Sequence, residues 1–150
     1  MALKIGDKVP HFVAIDGDGN AFDSQLFVGH KPLVIYFYPK DHTPGCTAQA
    51  CGFRDQYQDF EDLGAEIIGV SGDSATAHRG FAAQYKLPFI LLSDYDKKLR
   101  LLFGVPTKFL GLLPGRVTYI IDKNGFVYDV FDHFLATKHI KTALERLKNI

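Results

Sequence analysis

Cys46 and Cys51 are the chain's two thiols, and the residues before the first of them set its chemistry. Thr43-Pro44 is a common way to begin a helix, Thr at the N-cap and Pro at the first helical position. That places Cys46 in the first turn, where backbone N–H groups lack intrahelical acceptors and the macrodipole is positive. A thiolate is favoured there over a thiol, so Cys46 is a candidate nucleophile. The competing reading is a small buried apolar residue, a common fate of cysteine.

Cys51 follows five residues later on the same predicted helix. On a regular helix that spacing gives about 8.6 Å between Cα atoms and about 140° of rotation, whereas a disulfide needs less than roughly 7 Å. The two sulfurs could bond only if the first turns unwind. Gly52 makes unwinding cheaper by roughly 1 kcal/mol relative to Ala. Such a pair suits a redox cycle better than a permanent staple. Metal binding is disfavoured by count, since two cysteines make half a zinc site and the six histidines show no spacing that completes it.

These residues need a frame. Leu33 to Tyr38 is an unbroken apolar run of the length of a central strand, and Pro39 stops it. The helix carrying Cys46 is predicted to run to about Leu63, with Gly64 just beyond its end. Cys46, Ala50, Phe53, Tyr57 and Phe60 form its apolar stripe, so the sulfur faces the sheet and Cys51 another side. Arg54 is expected in a surface ion pair with Asp55, Asp59 or a nearby loop. Upstream, Lys8 to Ser24 reads as a hairpin around residues 16–20, with Ser24 capping a helical turn. Gly17 and Gly19 lack the strand, helix and spacing of a nucleotide loop.

Downstream, strands are predicted at Ala65–Val70 and Phe89–Leu92. A helix at Ala75–Lys86 has Ala77, Phe81 and Tyr85 inward and His78 and Arg79 in solvent. Another, capped by Asp94 or Asp96, ends at Phe103-Gly104. Residues 105–115 have no clear period: they could be a plain loop, a lid with Phe109 and Leu112 over the site, or a docking surface. Arg116 to Asp122 and Phe126 to Phe131 form a hairpin on an Asn-Gly turn. Thr137 is expected to cap a last helix with Ile140, Leu144 and Leu147 inward. The alternation gives an α/β fold, a mixed central sheet with helices on both faces.

At 150 residues the chain is expected to form one domain, 1–150, burying about 68–70% of its unfolded surface. Seventeen basic and seventeen acidic residues cancel, so no general attraction to nucleic acid or an acidic membrane is expected. No apolar run approaches the roughly 18 residues of a spanning helix. The N-terminus has neither a signal-peptide core nor a transit-peptide composition, so a cytoplasmic location is the default expectation. In that compartment a cysteine pair is more often catalytic or metal-binding than structural.

The segment PKDHTPGCTAQACGFRD resembles the active-site segment of peroxiredoxins of the bacterioferritin-comigratory-protein or Q type, atypical two-cysteine thiol peroxidases. Their Pro-x-x-x-Thr-x-x-Cys signature falls on Pro39, Thr43 and Cys46. The resemblance implies that Cys51 is the resolving cysteine, and LPGRVTYIIDKNG resembles the strand that brings the active-site arginine, here Arg116. It covers nearly the whole chain. It implies a thioredoxin-like fold with an N-terminal β-hairpin extension, which the order of elements suits although the thioredoxin Cys-x-x-Cys is absent.

The activity implied is reduction of hydrogen peroxide and organic hydroperoxides. Cys46 would become a sulfenic acid, condense with Cys51 to an intramolecular disulfide, and be recycled by thioredoxin or a similar dithiol, with no organic cofactor or metal. Relatives of this type are often monomers, and a monomer is expected. Thr43, Arg116 and free N–H groups would serve as donors to the breaking O–O bond, and Pro39 would shape the loop and limit water. From the residues alone, Thr43 as a bare N-cap and Arg116 as a strand-end charge stay equally open. His42 as a base is set aside, since a thiolate needs none. Two other functions compete: a thiol–disulfide exchanger, and a redox-sensing or client-binding module that docks through 105–115.

Overall fold

In a computed structural model, which describes residues 2–108, 113–133 and 135–150, the central strand lies where the apolar run predicts. That strand, β3 (Leu33–Phe37), is buried at every position. It pairs in parallel with β4 (Glu66–Ser71), and β4 with β5 (Ile90–Ser93). On the other side β8 (Val117–Ile121) runs antiparallel to β3, and β9 (Val127–Asp132) antiparallel to β8. The N-terminal hairpin, β1 (Val13–Asp16) and β2 (Ala21–Asp23), joins beside β5, giving the order β2-β1-β5-β4-β3-β8-β9. A two-stranded piece, β6 (Thr107–Lys108) with β7 (Leu113–Pro114), stands apart from this sheet. The expected lid or docking role of Phe109 and Leu112 falls outside the described residues.

Side chains alternate across a strand, so each strand feeds two cores. Leu33, Ile35 and Phe37 face a cluster closed by Leu99 and Phe103 of α4 (Lys98–Phe103) and by Phe12 and Phe22. Val34, Tyr36 and Tyr38 face the other, closed by α1 (Pro44–Asp55), α2 (Tyr57–Asp62), α3 (Ala75–Tyr85) and α5 (Ala136–Lys148). Cys46 belongs to the second cluster. Helices therefore cover both faces, as expected. Among the described residues no helix is long and apolar enough to cross a membrane.

Several boundaries differ from expectation, by one residue at the strands β4 and β5 and by more at some of the helices. The long helix breaks at Gln56, whose carbonyl accepts from both Asp59 and Phe60; Phe53 and Phe60 stay in contact across the break, ring centroids 5.6 Å apart. Asp23, not Ser24, caps the short 3-10 turn, because the Ser24 hydroxyl is buried accepting from Phe12 N–H. Lys97 holds the N-cap position of α4, yet the Asp94 carboxylate accepts from Leu99 and Arg100 N–H and so serves the helix start from further back. The last helix begins at Ala136, with Leu135 at its N-cap and Thr137 inside the first turn. There the turn is organised instead by His133 Nδ1, which accepts from Leu135 N–H.

Candidate active site

The site forms where β3 ends and α1 begins. Thr43 has extended backbone at the N-cap and Pro44 is the first helical residue, as the sequence predicts. Cys46 is in the first turn, 2% exposed, and Ala50 and Phe53 continue its face into the core. Cys51, on the same unbroken helix, is half-buried, and both thiols are free. Gly52 has a packing reason beyond chain flexibility: a Cβ there would lie 2.8 Å from Ile140 Cδ1 of α5.

Arg116 arrives from the far end of the sequence. The register Phe37↔Val117 puts the residue before β8 level with the chain just leaving β3. Its Nη2 donates to Cys46 Sγ at 3.3 Å, and its Nη1 donates to Gln49 Oε1. Gly45 leaves room for this approach, since a Cβ there would stand 3.2 Å from Nη2. Gln49 itself is fully buried, one turn on from Cys46, and fixes the guanidinium, a role that its sequence position alone does not announce. Its Nε2 and the Tyr36 hydroxyl are buried without a hydrogen-bond partner among the described residues.

Thr43 departs from expectation in one respect. Its hydroxyl makes no capping bond and donates its single proton to the Lys40 carbonyl at 2.8 Å. As built, it offers the site lone pairs rather than a donor. Pro39 is half-buried at the end of the strand and lines a cleft with Tyr38, Ser71, Asp94 and Arg100. His42 is exposed, consistent with setting it aside as a base. Arg54 pairs with Asp55 at 3.0 Å and donates to the Tyr85 carbonyl, tying α1 to the end of α3.

His78 overturns its expectation outright. It is fully buried, not solvated, because its Nδ1 lies 2.6 Å from Asp41 and its Nε2 2.9 Å from the Leu92 carbonyl. Tyr38 donates to the same carboxylate, and burial, together with Tyr36 and Asp41 nearby, pushes its phenol well above the usual value, so it remains a donor. Asp41, Asp73 and His78 form a group of metal-ligating types whose ligand atoms lie within 4.8 Å of one another. Both nitrogens of His78 and the oxygens of Asp41 already have partners, so the group is a hydrogen-bonded unit as it stands.

A cysteine at a helix entrance with a guanidinium on its sulfur, on a mixed sheet of this topology, defines a thiol-based oxidoreductase. A model of the AhpC/TSA family matches residues 5–130, and the chain belongs to that family. Within it, the chain is similar to the chloroplastic peroxiredoxin Q of Oryza sativa subsp. japonica, 49% identical over 97% of this chain and 67% of the rice protein. The crystal structure of the peroxidoxin BcpB of Mycobacterium tuberculosis superposes with a TM-score of 0.91 at 34% identity, covering 99% and 98% of the two chains. The bacterioferritin comigratory protein of Xanthomonas campestris, studied for alkyl peroxide reduction, gives 0.84 at 33% identity, covering 92% and 90%. The chain is thus a peroxidase of the peroxiredoxin Q type, with the thioredoxin-like fold expected.

The cytoplasmic expectation is corrected by the same findings. Plant relatives at 47–49% identity are chloroplastic and point to a plastid. That expectation rested on the lack of a leader signal, and an absence carries no address.

Proposed function

We propose that Cys46 attacks the peroxide and Cys51 resolves the product. The observation that carries this reading is the Arg116 Nη2 donor 3.3 Å from Cys46 Sγ at the N-terminus of α1. The thiolate attacks the terminal, hydroxyl-bearing oxygen of the peroxide, an S–O bond forms as the O–O bond breaks, and alkoxide or hydroxide leaves and takes up a proton. Charge spreads over sulfur and both oxygens, so fixed donors matter, each contributing typically 10²–10³. Arg116 and the free N–H groups at the helix start supply them. Thr43, its proton held by Lys40, accepts the O–H of the incoming hydroperoxide, and Pro39 shapes the turn into the loop.

The Cys46 sulfenic acid then condenses with the Cys51 thiol, releasing water and leaving a disulfide. Since both residues sit on one regular helix about 8.6 Å apart between Cα atoms, this step unwinds the first turns of α1. A dithiol protein such as thioredoxin reduces the disulfide by exchange. Hydrogen peroxide and organic hydroperoxides both fit a mechanism that needs only the O–O bond. Residues 1–150 act as one domain around one principal sheet, and as a monomer. The balanced charge supports a cycle without nucleic acid or an acidic membrane.

The test is stopped-flow peroxide consumption with a thioredoxin couple. Cys46→Ser should abolish turnover; Cys51→Ser should permit one oxidation per chain and then stop unless a small thiol is added. Turnover surviving in Cys46→Ser would overturn the assignment, and sustained thioredoxin-driven turnover in Cys51→Ser would overturn the resolving role.

A further inference from the structure

The loop that ends in Thr43 is gripped by two side chains of α3, one turn apart. The first is His78. A carbonyl oxygen can only accept, so Nε2, 2.9 Å from Leu92 O, carries a hydrogen. The 2.6 Å contact between Nδ1 and Asp41 Oδ2 needs another. One proton is therefore shared between imidazole and carboxylate, and the pair is neutral overall wherever that proton rests. This is how two ionisable side chains stay 0% and 2% exposed without an uncompensated charge. The other Asp41 oxygen accepts from the Tyr38 hydroxyl at 2.6 Å. The Asp41 N–H donates to Asp73 Oδ2 at 2.8 Å, an oxygen that also accepts from Ser71 Oγ at 2.6 Å.

The second grip is Phe81, whose ring meets His42 edge-on with centroids 5.0 Å apart. His42 has left-handed backbone, φ 63°, disfavoured for any residue with a Cβ and kept only where the surroundings over-determine it. Asp41, His42 and Thr43 are consecutive, and Cys46 follows within the first helical turn. What holds Asp41 and His42 therefore sets where Thr43 and the helix entrance stand. Arg116, which must meet them, is carried by a different strand end.

We propose that His78 is a positioning residue for peroxide reduction: through Asp41 it fixes residues 40–43, so that Thr43 and Cys46 meet Arg116 in reacting register. It touches neither the sulfur nor the substrate. The inference rests on the reading of Cys46 as the attacking residue. A misplacement of about 1 Å can cost a reaction of this kind roughly 10²-fold. Alkylation of the same sulfur by iodoacetamide needs no alignment of a peroxide against Arg116 and Thr43, so it separates register from general loss of structure.

The experiment compares two rates in folded protein, oxidation of Cys46 by hydrogen peroxide and its alkylation by iodoacetamide. His78→Gln should slow oxidation by about 10- to 100-fold and alter alkylation less than about threefold. Tyr38→Phe removes one hydrogen bond to Asp41 with little change of shape, and should slow oxidation by about three- to tenfold with the same split. It carries the test alone if His78→Gln does not fold. The double variant Asp41→Asn, His78→Gln should be no slower than the slower single, since the two act as a unit. Oxidation within about twofold of wild type in the folded variants, or both rates falling by one common factor, would overturn the proposal. Failure of the underlying reading looks different: Cys46→Ser would still consume peroxide, whereas an inert Cys46→Ser beside an unimpaired His78→Gln removes the role of His78 alone.

Discussion

The guanidinium of Arg116 does two jobs at once, donating to Cys46 Sγ through one nitrogen and to Gln49 through another. A planar fork can do this and an ammonium cannot. Arg116→Lys keeps the charge but cannot hold both partners at fixed angles, so kcat/KM for peroxide should fall by about 10²-fold, with little change in unfolding midpoint. A loss below about threefold in steady-state assays would mean that charge alone suffices there. Gln49 supports the same donor from the helix side. Gln49→Leu, which keeps the buried volume but not the acceptor, should lower kcat/KM by about tenfold, again checked against an unchanged fold by circular dichroism.

At the scale of elements, α1 must be regular to hold Cys46 against Arg116 and must open to let Cys51 reach it. Gly52 serves both demands, admitting Ile140 of α5 at close range while keeping the helix cheap to unwind. Gly52→Ala combined with Ile140→Val relieves the contact with Cδ1 and raises the cost of unwinding by about 1 kcal/mol. The sulfenic acid should then persist about fivefold longer at an unchanged oxidation rate, as read by dimedone trapping over time. The helix head itself was legible: Thr-Pro marks the start, and Cys46, Ala50 and Phe53 mark the buried face. Arg116 was not legible from the residues, because an antiparallel pairing of β3 with β8 brings it 70 positions back along the chain; only family resemblance pointed to it. His78 and Gln49 share a different fault. Each occupies the first or second place of an apolar spacing, 78/81/82/85 and 46/49/50/53; His78 reads from sequence as solvated, and Gln49 is not singled out there at all. A polar residue in such a stripe is a signal of a satisfied buried network. The break at Gln56 has no proline or glycine to announce it.

For the molecule as a whole, acid should act first through His139. It is fully buried, its Nδ1 2.7 Å from Thr118 Oγ1 and its Nε2 2.6 Å from the His133 carbonyl. Burial, aided by Arg116 and His133 nearby, pushes its titration down to about 4 from the ordinary 6.5. The folded state thus resists a proton that the unfolded chain takes up. The stability this contributes is fully present above pH 6.5 and lost as pH falls toward about 4, about 3 kcal/mol across the window. Asp94 and Glu66 run the other way: burial raises both, so the folded state binds their protons more readily and partly offsets the loss. Urea midpoints measured from neutral pH down to about pH 4 should therefore fall in wild type and fall less steeply in His139→Gln. Parallel slopes in the two proteins would assign the acid sensitivity elsewhere.

The central claim, one sulfur that takes the oxygen and a second that removes it, is tested most directly by intact-protein mass after a single equivalent of hydrogen peroxide. Wild type should lose two hydrogens, Cys51→Ser should gain one oxygen atom, and Cys46→Ser should be unchanged. Oxygen appearing on Cys46→Ser, or wild type holding a sulfenic acid with no disulfide, would contradict it.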